Sequence, residues 1–170
     1  MTQRFRIEAL VPTPARADFS CGVAPLDRYL REQATQDIKR RVANCFVALA
    51  DDGAIAGYYT LAATSLPLTD LPAEDARRLP RYPLLPAALI GRLAIDRRFQ
   101  GRRLGGALVM DAAARAGRSD PAVYALLVEA KDEAAAGFYE HLQFRRFASR
   151  PMTLFLPLAT ALQALDRAKD

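Results

Sequence analysis

The chain has 170 residues, 51% of them apolar, a net charge of +5 and only two cysteines. That length fits one domain, taken as residues 1–170, with a core that needs neither disulfides nor a structural metal. No run approaches the ~20 apolar residues that cross a bilayer. The N-terminus has no signal-like apolar stretch, and Cys21 and Cys45 lack the spacing of a zinc site, so a soluble, reduced, cytoplasmic protein without metal is expected.

In chain order, residues 4–10 alternate and predict a first strand, closed by Pro12 and Pro14. Leu26, Tyr29, Leu30, Ala34 and Ile38 recur at helical spacing and predict an amphipathic helix packed on a sheet. Residues 42–50 and 55–63 are apolar runs joined by Asp51, Asp52 and Gly53, a hairpin signal. Alternation along the third strand lets at most one of Tyr58 and Tyr59 face a site. Five prolines between 64 and 87 predict a long loop, with a helical turn near 73–79.

The centre of the chain is a buried strand at 89–95, a basic glycine loop through Gly106, and a helix whose Leu104, Leu108 and Ala112 share one face. Amides at a helix start lack internal partners and point along the positive end of the helix dipole. Gly101, Gly105 and Gly106 let the main chain approach an anion, while Arg97, Arg98, Arg102 and Arg103 raise the local potential. A pyrophosphate fits such a loop. Neither Gly-x-x-x-x-Gly-Lys-Ser/Thr nor Gly-x-Gly-x-x-Gly occurs, which argues against a nucleoside triphosphatase or a dinucleotide fold.

Beyond it, 123–129 reads as another strand, Asp132 as the N-cap of a helix through His141, 144–148 and 153–156 as short strands, and 158–168 as a last helix. The 153–156 strand is expected at a sheet edge, where it and the apolar face of the last helix would favour self-association. Eight arginines and one acid, Asp96, stand between Arg77 and Arg103, which suits a phosphate-bearing cofactor and a polyanion.

Two motifs carry a resemblance. Gln100-Gly-Arg-Arg-Leu-Gly105-Gly106 resembles the acyl-coenzyme A loop of the GNAT acetyltransferases, with Arg103 in place of a glycine. Ala135-x-x-Phe138-Tyr139-x-x-x-Gln143-Phe144 resembles their second signature, with Gln143 in place of another. The segments Phe19 to Gln33, Gly57 to Ala63, Leu79 to Pro83, Gly91 to Ala94 and Leu154 to Pro157 narrow the likeness to the GNAT toxins of bacterial toxin–antitoxin operons.

That resemblance implies an α/β (α+β) GNAT fold: a mixed sheet of about six to seven strands with about four helices and splayed parallel strands at the cofactor site. It implies acetyl-CoA as donor, charged tRNA as acceptor, inhibition of translation, a ribbon-helix-helix antitoxin and a homodimer. Leu93, Ala94 and Ile95 would hold the pantetheine arm; Arg98, Gln100, Gly101, Arg102, Arg103, Leu104, Gly105 and Gly106 the pyrophosphate, with Asp132 and Phe138 completing the cofactor site. Tyr139 would be the general acid, and Arg77, Arg78, Arg81, Arg92 and Arg97 would contact RNA phosphates. His141, the one histidine, lies on another side of its helix from Tyr139. Two other readings remain open: a GNAT enzyme acting on a protein or small-molecule amine, and an idle GNAT domain that binds RNA or a protein.

Overall fold

The computed structural model describes residues 4–169. Its elements are β1 (Arg6–Ala9), α1 (24–39), β2 (Asn44–Leu49), β3 (Ile55–Pro67), α2 (Ala73–Ala76), β4 (Leu84–Ile95), α3 (Leu104–Gly117), β5 (Ala125–Glu129), α4 (Glu133–His141), β6 (Arg145–Arg146), β7 (Thr153–Pro157) and α5 (Leu158–Lys169). The strands form an open sheet in the order β1-β2-β3-β4-β5-β7-β6. This is the expected α/β class, with seven strands and five helices among the described residues where six to seven and about four were expected.

Two compact units share the chain. One takes the residues up to Ala62 with Ile90–Ala112, the other Ala63–Leu89 with the residues from Ala113 on. In the first, β1 and β3 flank β2 as antiparallel neighbours, with Arg6 opposite Leu49 and Asn44 opposite Leu61. The turn between β2 and β3 is the one the Asp-Gly pair announces: Gly53 has φ +86°, and Asp52 Oδ1 accepts from Ala54 N–H at 3.0 Å. Phe19, Leu30, Val47, Ile55, Tyr58 and Ala94 form its core.

Both β3 tyrosines turn out to be structural. Each is fully buried. Tyr58 donates to Leu26 O of α1 at 2.7 Å, and Tyr59 donates to Asp111 Oδ2 of α3 at 2.6 Å, so the strand anchors a helix through each of two successive side chains. At 57 there is room only for glycine, where a Cβ would stand 2.9 Å from Ile95 Cδ1 and 3.0 Å from Ala94 O of β4 and 3.2 Å from Leu108 Cδ1 of α3.

In the second unit, β7 pairs antiparallel with β5 on one side and β6 on the other. The expected free edge at 153–156 is therefore an interior strand, buried from Thr153 to Leu156. Part of the apolar face of α5 is also taken: a Cβ at Gly117 would meet Leu162 Cδ2 at 2.9 Å. Leu66, Leu85, Leu127, Phe147 and Phe155 form the core. The proline-rich stretch holds more structure than its composition suggests, because β3 runs to Pro67 and β4 starts at Leu84. Pro86 lies inside β4, lacking only a donor; its carbonyl accepts from Tyr124 N–H at 2.9 Å.

Candidate active site

In the first unit the end of β4, a 3-10 turn (Arg97–Phe99) and the start of α3 bring together Leu93, Ala94, Ile95, Arg97, Arg98 and all residues from Gln100 to Gly106. Arg92 belongs to the same strand end. The amides of Leu104, Gly105 and Gly106 precede any carbonyl that α3 could offer them, the first bond there running from Ala107 N–H to Arg103 O at 3.3 Å. Gly101 has φ +79° and open space where a Cβ would stand.

Arg103 also takes a left-handed backbone, φ +61°. The loop thus keeps the conformation that the motif's glycine supplies, at a cost of roughly 1 kcal/mol for the side chain. Arg102 and Arg103 are exposed. Open amides, room at Gly101 and exposed cations fit a pyrophosphate, which is the test that acetyl-CoA sets for this loop.

What fixes the loop is a residue that the sequence reading passed over. Asp96 is 2% exposed; its Oδ2 accepts from Ser20 N–H at 3.0 Å and its Oδ1 from Arg98 N–H and Nε, each at 2.9 Å. Burial opposes its charge, but the bonds from Arg98 and from the two amides outweigh burial and hold the carboxyl below its usual range. The signal was present as the one acid among eight arginines. Gln100 acts as a second tie, its Nε2 donating to Cys21 O at 3.2 Å and Ile95 O at 3.0 Å. Arg98 therefore spends part of its charge inside the protein.

Both thiols keep their protons at neutral pH. Burial, with a hydrogen bond to Asp27, pushes the Cys21 thiol up, and burial pushes the Cys45 thiol up to about 12.

In the second unit, Asp132 caps α4, its Oδ1 accepting from Ala135 N–H at 2.8 Å, as its position before the helix implies. Phe138 is partly exposed and Tyr139 is 9% exposed. The Tyr139 ring is held edge-on against Phe138 at 5.1 Å and tilted against Phe144 at 5.4 Å. Its hydroxyl makes no hydrogen bond among the described residues, yet it is not sealed in: the one buried side-chain oxygen without a partner among them is Asp75 Oδ2. Burial pushes the Tyr139 hydroxyl up to about 12, so it keeps its proton at neutral pH.

Gln143 closes this helix with φ +77°, the second motif glycine replaced by a residue in the glycine conformation. Leu142 and Phe144 donate their N–H groups to Tyr139 O at 3.0 and 3.1 Å, which fixes the backbone beneath the ring. His141 is exposed. Arg77, Arg78 and Arg81 follow α2, are exposed and have no ion-pair partner among the described residues.

Residues 41–146 match the acetyltransferase (GNAT) domain family, and the chain belongs to it. A relative 36% identical over 145 residues, 84% of this chain and 86% of that protein, is the tRNA-acetylating toxin of Mycobacterium tuberculosis. Among solved structures, AtaT complexed with acetyl-methionyl-tRNAfMet is 25% identical with a TM-score of 0.85, covering 95% of this chain and 99% of that one. A Tyr-to-Phe mutant of KacT is 28% identical with a TM-score of 0.86, covering 95% and 99%. AtaTR bound with acetyl-CoA is 25% identical with a TM-score of 0.76, covering 95% and 98%.

Proposed function

We propose that the chain is the toxin of a toxin–antitoxin pair and transfers an acetyl group from acetyl-CoA to the free amine of the amino acid on charged tRNA, blocking translation. The near full-length likeness to a tRNA-acetylating toxin, at 36% identity, carries the reading.

Gln100 to Gly106 would hold the pyrophosphate through main-chain amides and the Arg102 and Arg103 side chains, with Arg98 and Gln100 also fixing the loop from within. Main-chain groups of Leu93, Ala94 and Ile95 would pair with the pantetheine arm, and an N–H there would polarise the acyl carbonyl. Asp132 and Phe138 complete the donor site in this reading. When bound, acetyl-CoA supplies an acetyl group activated as a thioester.

Tyr139 is the general acid we assign. A hydroxyl that is protonated at neutral pH and has no internal partner can give its proton to the leaving sulfur. That KacT was solved as a Tyr-to-Phe mutant accords with a tyrosine at the centre of the reaction. The ester withdraws electrons from the neighbouring amine and lowers its basicity, so the nucleophile is neutral without a strong base. Arg77, Arg78, Arg81, Arg92 and Arg97 would meet RNA phosphates. The same reading implies a ribbon-helix-helix antitoxin, a homodimer and work in the cytoplasm, where translation runs; no helix among the described residues is long and apolar enough to cross a membrane.

Labelled acetyl-CoA incubated with the protein and a pool of charged tRNA tests the proposal, with deacylated tRNA alongside. Label on charged tRNA alone is expected. No transfer to tRNA while acetyl-CoA still binds would refute the acceptor and leave an acetyltransferase for another amine.

A further inference from the structure

One cavity of the first unit enters the mechanism above only through Arg92. It measures about 300 Å³ and is lined by Leu26, Arg28, Tyr29, Glu32 and Arg92 among others. The Arg92 guanidinium lies 3.6 Å from the centroid of the Tyr29 ring. Tyr29 is itself held: its hydroxyl donates to Asp37 Oδ2 at 2.7 Å, and Gln33 Nε2 donates to Asp37 Oδ1 at 3.0 Å. The wall is thus a planar cation laid on an aromatic ring that is pinned from behind.

Helix α1 is distorted at this wall. Between its α-helical ends, Ala24–Arg28 and Ala34–Lys39, it widens to a π-turn over Tyr29–Gln33. Such a turn puts an extra residue into the helix and is frequent at functional sites. Arg28, Tyr29, Glu32 and Gln33, at and beside this turn, line the cavity.

We propose that this cavity receives the base of the 3′-terminal adenosine of the charged RNA, stacked on Arg92. The inference rests on the acceptor reading above and makes the assignment of Arg92 more specific, from a phosphate contact to a stacking plate. A guanidinium plane is a platform for a base, Arg28 can meet the adjoining phosphate, and the Glu32 carboxylate can accept from the exocyclic amine of adenine. An amino-acid side chain would satisfy at most part of that set. The position agrees, since Arg92 directly precedes Leu93, Ala94 and Ile95 on β4, the stretch proposed to hold the acyl arm. Every charged tRNA ends in the same adenosine, so the contact would serve all of them.

Steady-state kinetics with tRNAs carrying two different amino acids tests this. Arg92→Ala should raise KM for both by about the same factor, roughly tenfold, the size of a lost base-stacking contact. It should leave kcat and KM for acetyl-CoA unchanged, with the melting temperature reported alongside. Arg92→Lys, which keeps the charge but not the plane, should not restore KM, and Tyr29→Leu should act like Arg92→Ala.

Unaltered KM, rescue by lysine, or a KM factor that follows the amino acid would each overturn the proposal, the last by giving the cavity to the side chain. A cytidine-cytidine-adenosine trinucleotide titrated onto the coenzyme A-saturated protein separates the two readings. If it binds and binding is lost in Arg92→Ala, the cavity stands even when no charged tRNA is acetylated. If charged tRNA is acetylated but the trinucleotide binds both proteins alike, the cavity assignment alone fails.

Discussion

Tyr58 and Tyr59 on β3 and Tyr139 on α4 are all buried. They differ at the hydroxyl. On β3 both hydroxyls are committed, one to a helix carbonyl and one to a carboxylate, whereas the Tyr139 hydroxyl has no partner among the described residues. The same division runs through the arginines of the second unit. Arg145 is paired with Glu74 and Asp75, Arg146 with Glu133 and Glu140, and Arg150 with Asp70, while Arg77, Arg78 and Arg81 have no such partner. Burial or charge alone therefore does not separate these groups; commitment within the protein does, and in the function proposed above the uncommitted ones are those that meet the substrates.

The arginines allow the largest test of that division. Replacing Arg77, Arg78 and Arg81 together by alanine should weaken RNA binding by about tenfold or more and reduce the slope of log affinity against log salt by roughly 2, since each phosphate contact contributes about 0.7–0.9. The melting temperature should not move. Arg145→Ala should do the reverse, costing roughly 0.2–1 kcal/mol of stability with RNA affinity unchanged. Filter binding across a salt series, with melting curves, checks both, and equal effects in the two sets would break the comparison.

Asp96 sharpens it within the site. Asp96→Asn should destabilise by about 1–3 kcal/mol, because a buried charged acceptor serving Ser20 and Arg98 is lost. Its folded pKa lies below its unfolded value of about 3.9, so its contribution is fully present above that value and is lost as pH falls toward the folded pKa. Acid denaturation followed below about pH 4 should be shallower in the variant.

The smallest effects are expected at the two strained positions. Arg103→Gly and Gln143→Gly should each change stability by up to about 1 kcal/mol, upward, because left-handed strain is relieved while some unfolded-state freedom is gained. Urea melts of the free protein measure this. A loss of stability at either position would mean that its side chain is committed after all.

Those two positions also show how the sequence could be read and where it stopped. Arg103 and Gln143 looked like departures from the motifs, but the backbone at each is what a glycine would adopt, so the motifs were legible through their substitutions. Asp132 was readable as a cap because capping is local. The strand at 153–156 was assigned to an edge since nothing local says that two residues, Arg145 and Arg146, come back to cover it. Pro67 and Pro86 hid the lengths of β3 and β4, because proline propensity carries no information on which strand faces can spare a donor. The π-turn at Tyr29 left the apolar spacing of α1 nearly intact, so periodicity read it as one regular helix.

One measurement bears most directly on the division between committed and uncommitted groups: acetyl transfer to charged tRNA and equilibrium stability, taken together for Tyr58→Phe, Tyr59→Phe and Tyr139→Phe. Tyr139→Phe should lose about 100-fold or more in kcat with stability changed by less than about 0.5 kcal/mol, whereas the β3 variants should lose about 1–3 kcal/mol and keep their turnover. Full transfer by Tyr139→Phe, or the same loss of stability in all three, would contradict the account.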